Sequence, residues 1–346
     1  MIEPMPPAAP TRTRPRPLTL ATALAAVAAT SVVLTSCAAS TAGTPATGDA
    51  GAVSVLASFY PLEYVAQQVG GETVTVRSLT PPGAEPHDLE LSPSQVRTVG
   101  EADLVLYLSE FQAAVDEAVA AKPGARVLDA RSVMPTADEG PQDTHEGESE
   151  AEHAEHEHEK TEADHADDEG HDHDHGADPH FWLDPTLLAA LAGPVAEALG
   201  EADPAHAADY AARGEALEQQ LTELDAAFTD GLATCERRTI LVTHEAYGFL
   251  ADRYGLNQAG LAGLDPDVEP SVARLREIRA IAEASDATTI FTESLVDARA
   301  AEQLAADLGL TTATLDPVEN QADPAQDYRQ VMTSNLGALR LALDCA

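Results

Sequence analysis

Residues 205–232 read AHAADYAARGEALEQQLTELDAAFTDGL. Within them Leu217, Leu221, Leu224 and Phe228 recur at spacings of three and four, the period of a single helical face. A helix of that length can bridge two lobes, and the chain on either side repeats one grammar. Before it, short apolar runs at 53–58, 73–79, 104–108 and 126–129 alternate with helical patterns near 62–70, 94–101 and 111–121, and a further helix is expected at 185–199. After it, runs at 239–243, 257–261, 288–292 and 311–315 alternate with helices near 246–254, 271–284 and 297–308, and a terminal helix covers about 325–343. Such alternation predicts an α/β fold of two βα lobes, each with a four-stranded parallel sheet, joined by the long helix. Roughly 250 ordered residues suit two lobes better than one small core.

The amino terminus carries Arg12, Arg14 and Arg16, then an uncharged, Ala-rich apolar run over 18–34. That is the pattern of an export signal, and the run is short for a bilayer span, which needs about 20 residues. Leu34-Thr35-Ser36-Cys37 resembles a bacterial lipobox, which implies cleavage before Cys37, lipid on that cysteine and anchorage to the outer face of the cell membrane; an ordinary signal beside an incidental cysteine is the other reading. The expected segments are a signal peptide at 1–36, lipidated Cys37 with a linker at 37–51, an amino-terminal lobe at 52–204, the connecting helix at 205–232 and a carboxyl-terminal lobe at 233–346. With Cys37 set aside, Cys235 and Cys345 form an even pair in an oxidising compartment, and a disulfide between them is expected, two buried thiols being the alternative.

Nineteen basic residues face fifty-nine acidic ones, a net charge of −40. This excludes nucleic acid as a partner and favours solubility, while salt screens long-range attraction for cations within about 8 Å. Eighteen carboxylates and one lysine fall within 136–178, together with His145, His153, His156, His158, His165, His171, His173 and His175. A tract with so much charge and so few apolar groups predicts a mobile loop. Its imidazoles make it a candidate low-affinity metal sponge, against the plainer reading of a solvated insertion.

Three other histidines stand singly where an open α/β sheet binds ligands, outside the carboxyl ends of its strands. His87 follows the run 73–79 through Pro81-Pro82-Gly83-Ala84-Glu85-Pro86, and His180 lies in Asp178-Pro179-His180-Phe181-Trp182-Leu183-Asp184-Pro185. His244 directly follows 239–243, and Asp316 directly follows 311–315. Two candidate metal ligands from each lobe place the metal in the cleft between them. His206 reads as a solvated side chain, and Glu293, which also ends a strand run, as a supporting or ion-pairing group.

Gly83-Ala84-Glu85-Pro86-His87-Asp88, Pro179-His180-Phe181-Trp182-Leu183-Asp184-Pro185, Thr243-His244-Glu245-Ala246-Tyr247-Gly248-Phe249 and Thr314-Leu315-Asp316-Pro317, in that order, closely resemble the metal-binding solute-binding proteins of bacterial zinc and manganese ABC importers. The resemblance covers about residues 52–346. It implies two βα lobes joined by a rigid backbone helix, a metal in the cleft, and docking on a membrane permease with its ATPase; a monomer is expected. Carried over by position, His87, His180 and His244 are the imidazole ligands and Asp316 matches the carboxylate.

Three imidazoles and a carboxylate suit tetrahedral Zn(II), whereas manganese prefers more oxygen, and the manganese-type relatives are similar but carry a carboxylate where His244 stands. Some zinc-type members use a glutamate directly before the first histidine, a position held here by Pro86; this favours Asp316 as fourth ligand, with Glu85 or water as alternatives and a capping role for Asp316 as its other reading. A hydrolytic zinc site keeps a position open for water, so four protein ligands argue against an enzyme. The expected function is extracytoplasmic capture of Zn(II) and delivery to the permease. A manganese or iron binder, or a metal-dependent adhesin, is the alternative.

Overall fold

The computed structural model describes residues 52–135, 178–295 and 297–346. The expected signal segment, Cys37 with its linker, and the eight histidines of the acidic tract lie outside these residues.

The first lobe runs β1 (Val53–Ala57), α1 (Tyr60–Gly70), β2 (Val74–Ser78), α2 (Pro93–Val99), β3 (Leu104–Tyr107), α3 (Ala113–Ala120) and β4 (Val127–Asp129). Its four strands are all parallel, in the order β2-β1-β3-β4, with Val55 facing Val76 on one side and Leu104 on the other. Val53, Val55, Leu56 and Ala57 are buried, as expected of a central strand covered by helices on both faces. Then come α4 (Pro185–Ala190), α5 (Ala192–Ala202) and α6 (Ala207–Leu232). The second lobe repeats the plan with β5 (Thr239–Val242), α7 (Gly248–Tyr254), β6 (Asn257–Gly260), α8 (Val272–Ala284), β7 (Thr289–Thr292), α9 (Arg299–Leu308) and β8 (Thr311–Thr314), in the parallel order β6-β5-β7-β8, and α10 (Tyr328–Leu343) closes the chain. In both sheets the order reverses beside the first strand, which opens a crevice at the carboxyl ends there.

The single helix expected over 185–199 is two. Pro194 lacks an N–H and its ring crowds the carbonyl four residues back, so the helix breaks at Leu191, whose N–H turns to Leu188 instead (3.2 Å). The long helix α6 buries Tyr210, Gly214, Leu217, Leu221, Leu224, Phe228 and Leu232 along one stripe. Gly214 allows close approach to α5: a Cβ there would stand 3.2 Å from the Ala192 carbonyl oxygen. Arg213 of α6 donates to the Val69 and Gly70 carbonyls at the end of α1 (2.6 and 2.9 Å), where a cation also complements the helix dipole. Further along, Asp225 accepts two bonds from Arg253 of α7 (2.9 Å each) and one from the Tyr254 hydroxyl. One helix is thereby fastened to both lobes.

The lobes share a continuous core. Phe59 and Tyr64 of the first lobe and Tyr247, Val318 and Tyr328 of the second belong to one buried cluster with Trp182. Two hydrogen bonds cross the seam, the Trp182 indole donating to the Pro317 carbonyl (2.8 Å) and the Tyr328 hydroxyl to the Trp182 carbonyl (2.5 Å), while within the second lobe the Tyr247 hydroxyl donates to the Leu315 carbonyl (2.8 Å). No described helix is long and apolar enough to cross a membrane.

Cys235 and Cys345 are joined by a disulfide across a sequence separation of 110 residues, fastening the segment after α6 to the end of α10. Closing a loop of that length contributes at most about 5 kcal/mol in the chain-entropy model. Reduction, or replacement of both cysteines by alanine, should lower unfolding stability by roughly 2–4 kcal/mol. Urea midpoints that coincide with and without the bond would refute that contribution.

Candidate metal site

Each lobe contributes to one small group at the carboxyl ends of its strands. His87 lies within the loop between β2 and α2. His180 precedes a single 3-10 turn, Phe181–Leu183, whose three side chains are wholly buried. His244 lies two residues beyond β5, and Glu319 five beyond β8. One donor atom from each of His87, His180, His244 and Glu319 lies within 4.8 Å of the others, the one such group of this kind found among the described residues. The three imidazole Nε2 atoms converge on Glu319 Oε1 at 3.3 Å (His87), 2.9 Å (His180) and 3.4 Å (His244). The His180 and His244 side chains have no exposed surface, and His87 retains 13%.

Carboxylates behind two of the rings set their orientation. His180 Nδ1 faces Asp178 Oδ1 at 2.7 Å, and the same oxygen accepts the His180 backbone N–H at 2.9 Å. His244 Nδ1 faces Glu293 Oε1 at 2.8 Å, and Glu293 also accepts from the Thr243 hydroxyl. With the proton on Nδ1, each ring aims its Nε2 lone pair at the shared centre, as metal-bound histidines do. The His87 ring instead stands edge-on to Phe111, centroids 4.8 Å apart. His244 Nε2 is buried without a partner in hydrogen-bonding geometry, an atom a metal would satisfy.

Burial on its own would raise the Glu319 carboxyl, but hydrogen bonds with His180 and His87 and the nearby His244 imidazole outweigh it and hold the group well below the ordinary range. Burial would likewise lower both inner histidines. It is overcome for His180 by Asp178 and Glu319, and for His244 by Glu293 and Glu319, which push His244 up to about 10. The metal-free site is thus a charge-paired cluster in which protons occupy the places a cation would take.

The carboxylate facing the imidazoles is Glu319, where the sequence pointed to Asp316. Asp316 Oδ1 accepts the Val318 backbone N–H (2.8 Å), and the Asn335 side chain grips the Asp316 backbone, accepting its N–H at 2.9 Å and donating to its carbonyl at 2.6 Å. The capping reading of Asp316 is therefore what the geometry displays. Asp316 bends the chain, Val318 is forced to φ 56°, a conformation β-branched residues seldom adopt, and the bend carries Glu319 to the centre. The one sequence signal for this was a second carboxylate three residues on in Asp316-Pro317-Val318-Glu319. Glu85, the other alternative, accepts the backbone N–H groups of His87 (2.9 Å) and Asp88 (3.2 Å) and stands 3.9 Å from His87 Nε2.

Glu293→Gln keeps the shape behind His244 and removes the charge; metal affinity should fall about 10-fold or more. Glu245→Gln is the matched control, since Glu245, although adjacent in sequence to His244, pairs with Arg274 (2.7 Å). Chelator competition on the two variants checks this, and equal affinities would remove the orienting role of Glu293.

Residues 55–342 match the family model described as zinc-uptake complex component A, periplasmic. The zinc-binding protein AdcA of Streptococcus pyogenes is 29% identical over 304 residues, 86% of this chain but 57% of that relative. The chain therefore spans little more than half the length of these AdcA relatives. The high-affinity zinc uptake system protein ZnuA of Bacillus subtilis is 31% identical over 293 residues, covering 84% of this chain and 87% of the relative. Among solved structures, the Zn(II)-bound ZnuA-like domain of Streptococcus pneumoniae AdcA aligns with a TM-score of 0.67 at 25% identity, over 85% of this chain and all of that domain.

Proposed function

This chain belongs to the zinc-uptake complex component A family, and from that premise we propose that it is the extracytoplasmic zinc-binding component of an ABC importer. It takes Zn(II) into the cleft between its lobes on His87, His180, His244 and Glu319 and hands it to a membrane permease driven by an ATPase. The observation that carries this reading is the convergence of three imidazole Nε2 atoms and one carboxylate oxygen in a space nearly closed to solvent, with two of the rings oriented by buried carboxylates. Three nitrogens and one oxygen at a tetrahedral centre favour Zn(II) over Mn(II), and a closed set of four protein ligands leaves no position for the activated water of a hydrolase. Export, a lipid anchor on Cys37, and auxiliary low-affinity binding by the eight histidines between 145 and 175 complete the reading; these rest on sequence alone.

Competitive titration of the protein with zinc and manganese, with and without residues 138–177, tests it. One tight zinc site that survives the deletion and is lost in His244→Ala is the expected result. Loss of tight binding on deletion alone would make the acidic tract the real metal site.

A further inference from the structure

Next to Glu319, Asn320 is 8% exposed and spends its whole side chain on the other lobe. Its Oδ1 accepts the Gly83 N–H at 3.0 Å, and its Nδ2 donates to the Pro81 carbonyl at 3.0 Å and the Ala84 carbonyl at 2.7 Å. Pro81 to Ala84 form a turn closed by the Ala84 N–H on the Pro81 carbonyl (3.1 Å), with Gly83 at φ 75°, where glycine is strongly favoured. The asparagine plugs that turn. Three residues beyond it, His87 enters the metal cluster, and its loop is held from within its own lobe by Gln112, which donates to the Pro86 carbonyl at 3.1 Å. Since the His87 ring has Phe111 beside it where the other two rings have a carboxylate, its placement depends on backbone grips, these two from outside the loop and Glu85, which accepts the His87 N–H at 2.9 Å, from within it.

We infer that Asn320 is a specificity-determining residue, which sets the distance between the ligands of the two lobes and so holds the cleft to a four-ligand site that favours Zn(II) over larger, oxygen-seeking divalent ions. This rests on the zinc-capture reading above. Glu319 and Asn320 are consecutive, so the residue that supplies the second lobe's carboxylate is locked to the loop that supplies the first lobe's partly buried imidazole, His87. While the lock holds, the Glu85 carboxylate is occupied by the His87 and Asp88 N–H groups, although it stands 3.9 Å from His87 Nε2. Freeing the turn lets His87 draw back and lets Glu85 and water approach the centre. That trades a tetrahedral nitrogen-rich set for a larger one richer in oxygen, which costs Zn(II) and not Mn(II).

Asn320→Asp replaces only the NH2 by oxygen, so it loses two of the three bonds and sets a carboxylate against two carbonyls; Asn320→Ala loses all three. Zn(II) and Mn(II) affinities and the visible spectrum of the Co(II)-loaded protein are measured on both variants and the wild type, with metal-free melting as the check that each is folded. The expected result is a zinc affinity lower by about 10- to 100-fold, manganese affinity unchanged or higher, and a Co(II) absorption weakened from its tetrahedral intensity. An unchanged zinc-to-manganese ratio with an unchanged Co(II) spectrum, in a folded Asn320→Asp protein, overturns the inference, and so does an equal loss of both metals. A wild type without a tight zinc site would instead sink the zinc-capture reading itself.

Discussion

Glu319→Gln is expected to lose zinc affinity by about 100-fold or more, the equivalent of ~3 kcal/mol, while Asp316→Asn stays within roughly threefold of wild type. The reasoning is geometric. Glu319 Oε1 is the atom on which all three Nε2 atoms converge, so the amide removes a charged ligand from the centre of the cluster. An asparagine at 316 can still accept the Val318 N–H through its Oδ1, so the bend that delivers Glu319 survives. Outer groups behind metal ligands are worth 10–100-fold, which makes the loss of a direct ligand at least as large. Metal-free stability should fall as well, because removing one member of a buried ion pair leaves uncompensated charge, at a cost of about 3–5 kcal/mol. Chelator competition together with metal-free urea unfolding measures both. If Asp316→Asn lost zinc and Glu319→Gln kept it, the ligand role would return to Asp316.

Trp182→Ala should be the most destabilising single change in the seam, by about 3–5 kcal/mol from lost packing. The indole is wholly buried and packs against Phe59 (centroids 4.8 Å apart), Phe111 and His180. Its N–H is also the partner of the Pro317 carbonyl, two residues before Glu319, so the truncation orphans a buried acceptor in the very bend that positions the carboxylate. Zinc affinity should therefore fall together with stability. Trp182→Phe separates the two effects: it restores most of the volume without the N–H, and should cost only about 1–2 kcal/mol of stability while still weakening zinc. Urea unfolding and zinc titration of the pair decide; a Trp182→Phe protein equal to wild type in both would show that the cross-seam bond does nothing for the site.

The lobes were legible because their central parallel strands, β1, β3, β5 and β7, are buried short apolar runs that recur between helical patterns, and α6 because its buried stripe recurs without a break from Leu217 to Phe228. The histidines were legible because each stands singly beside turn chemistry, His244 just after a strand. Glu319 was not, since nothing local announces that Val318 adopts a left-handed backbone; that follows from Asp316 and Asn335 acting from two directions, one of them nineteen residues away. Asn320 was hidden for the same reason, its partners being more than two hundred residues distant. Pro194 was in plain view, yet a proline in the first turn of a helix and one that breaks a longer helix look alike until the neighbouring packing is known.

The shared aromatic seam ties the durability of the whole molecule to whether its metal site is filled. Each lobe keeps a smaller apolar cluster of its own, but the largest one, with Trp182, Tyr247 and Tyr328, spans both, so the described chain should melt as a single unit. A bound ion then stabilises every part of it at once, by about 4 kcal/mol when free metal stands a thousandfold above the dissociation constant. Metal-loaded and metal-free copies therefore differ in endurance, and the metal-free ones are the first that a protease would clear.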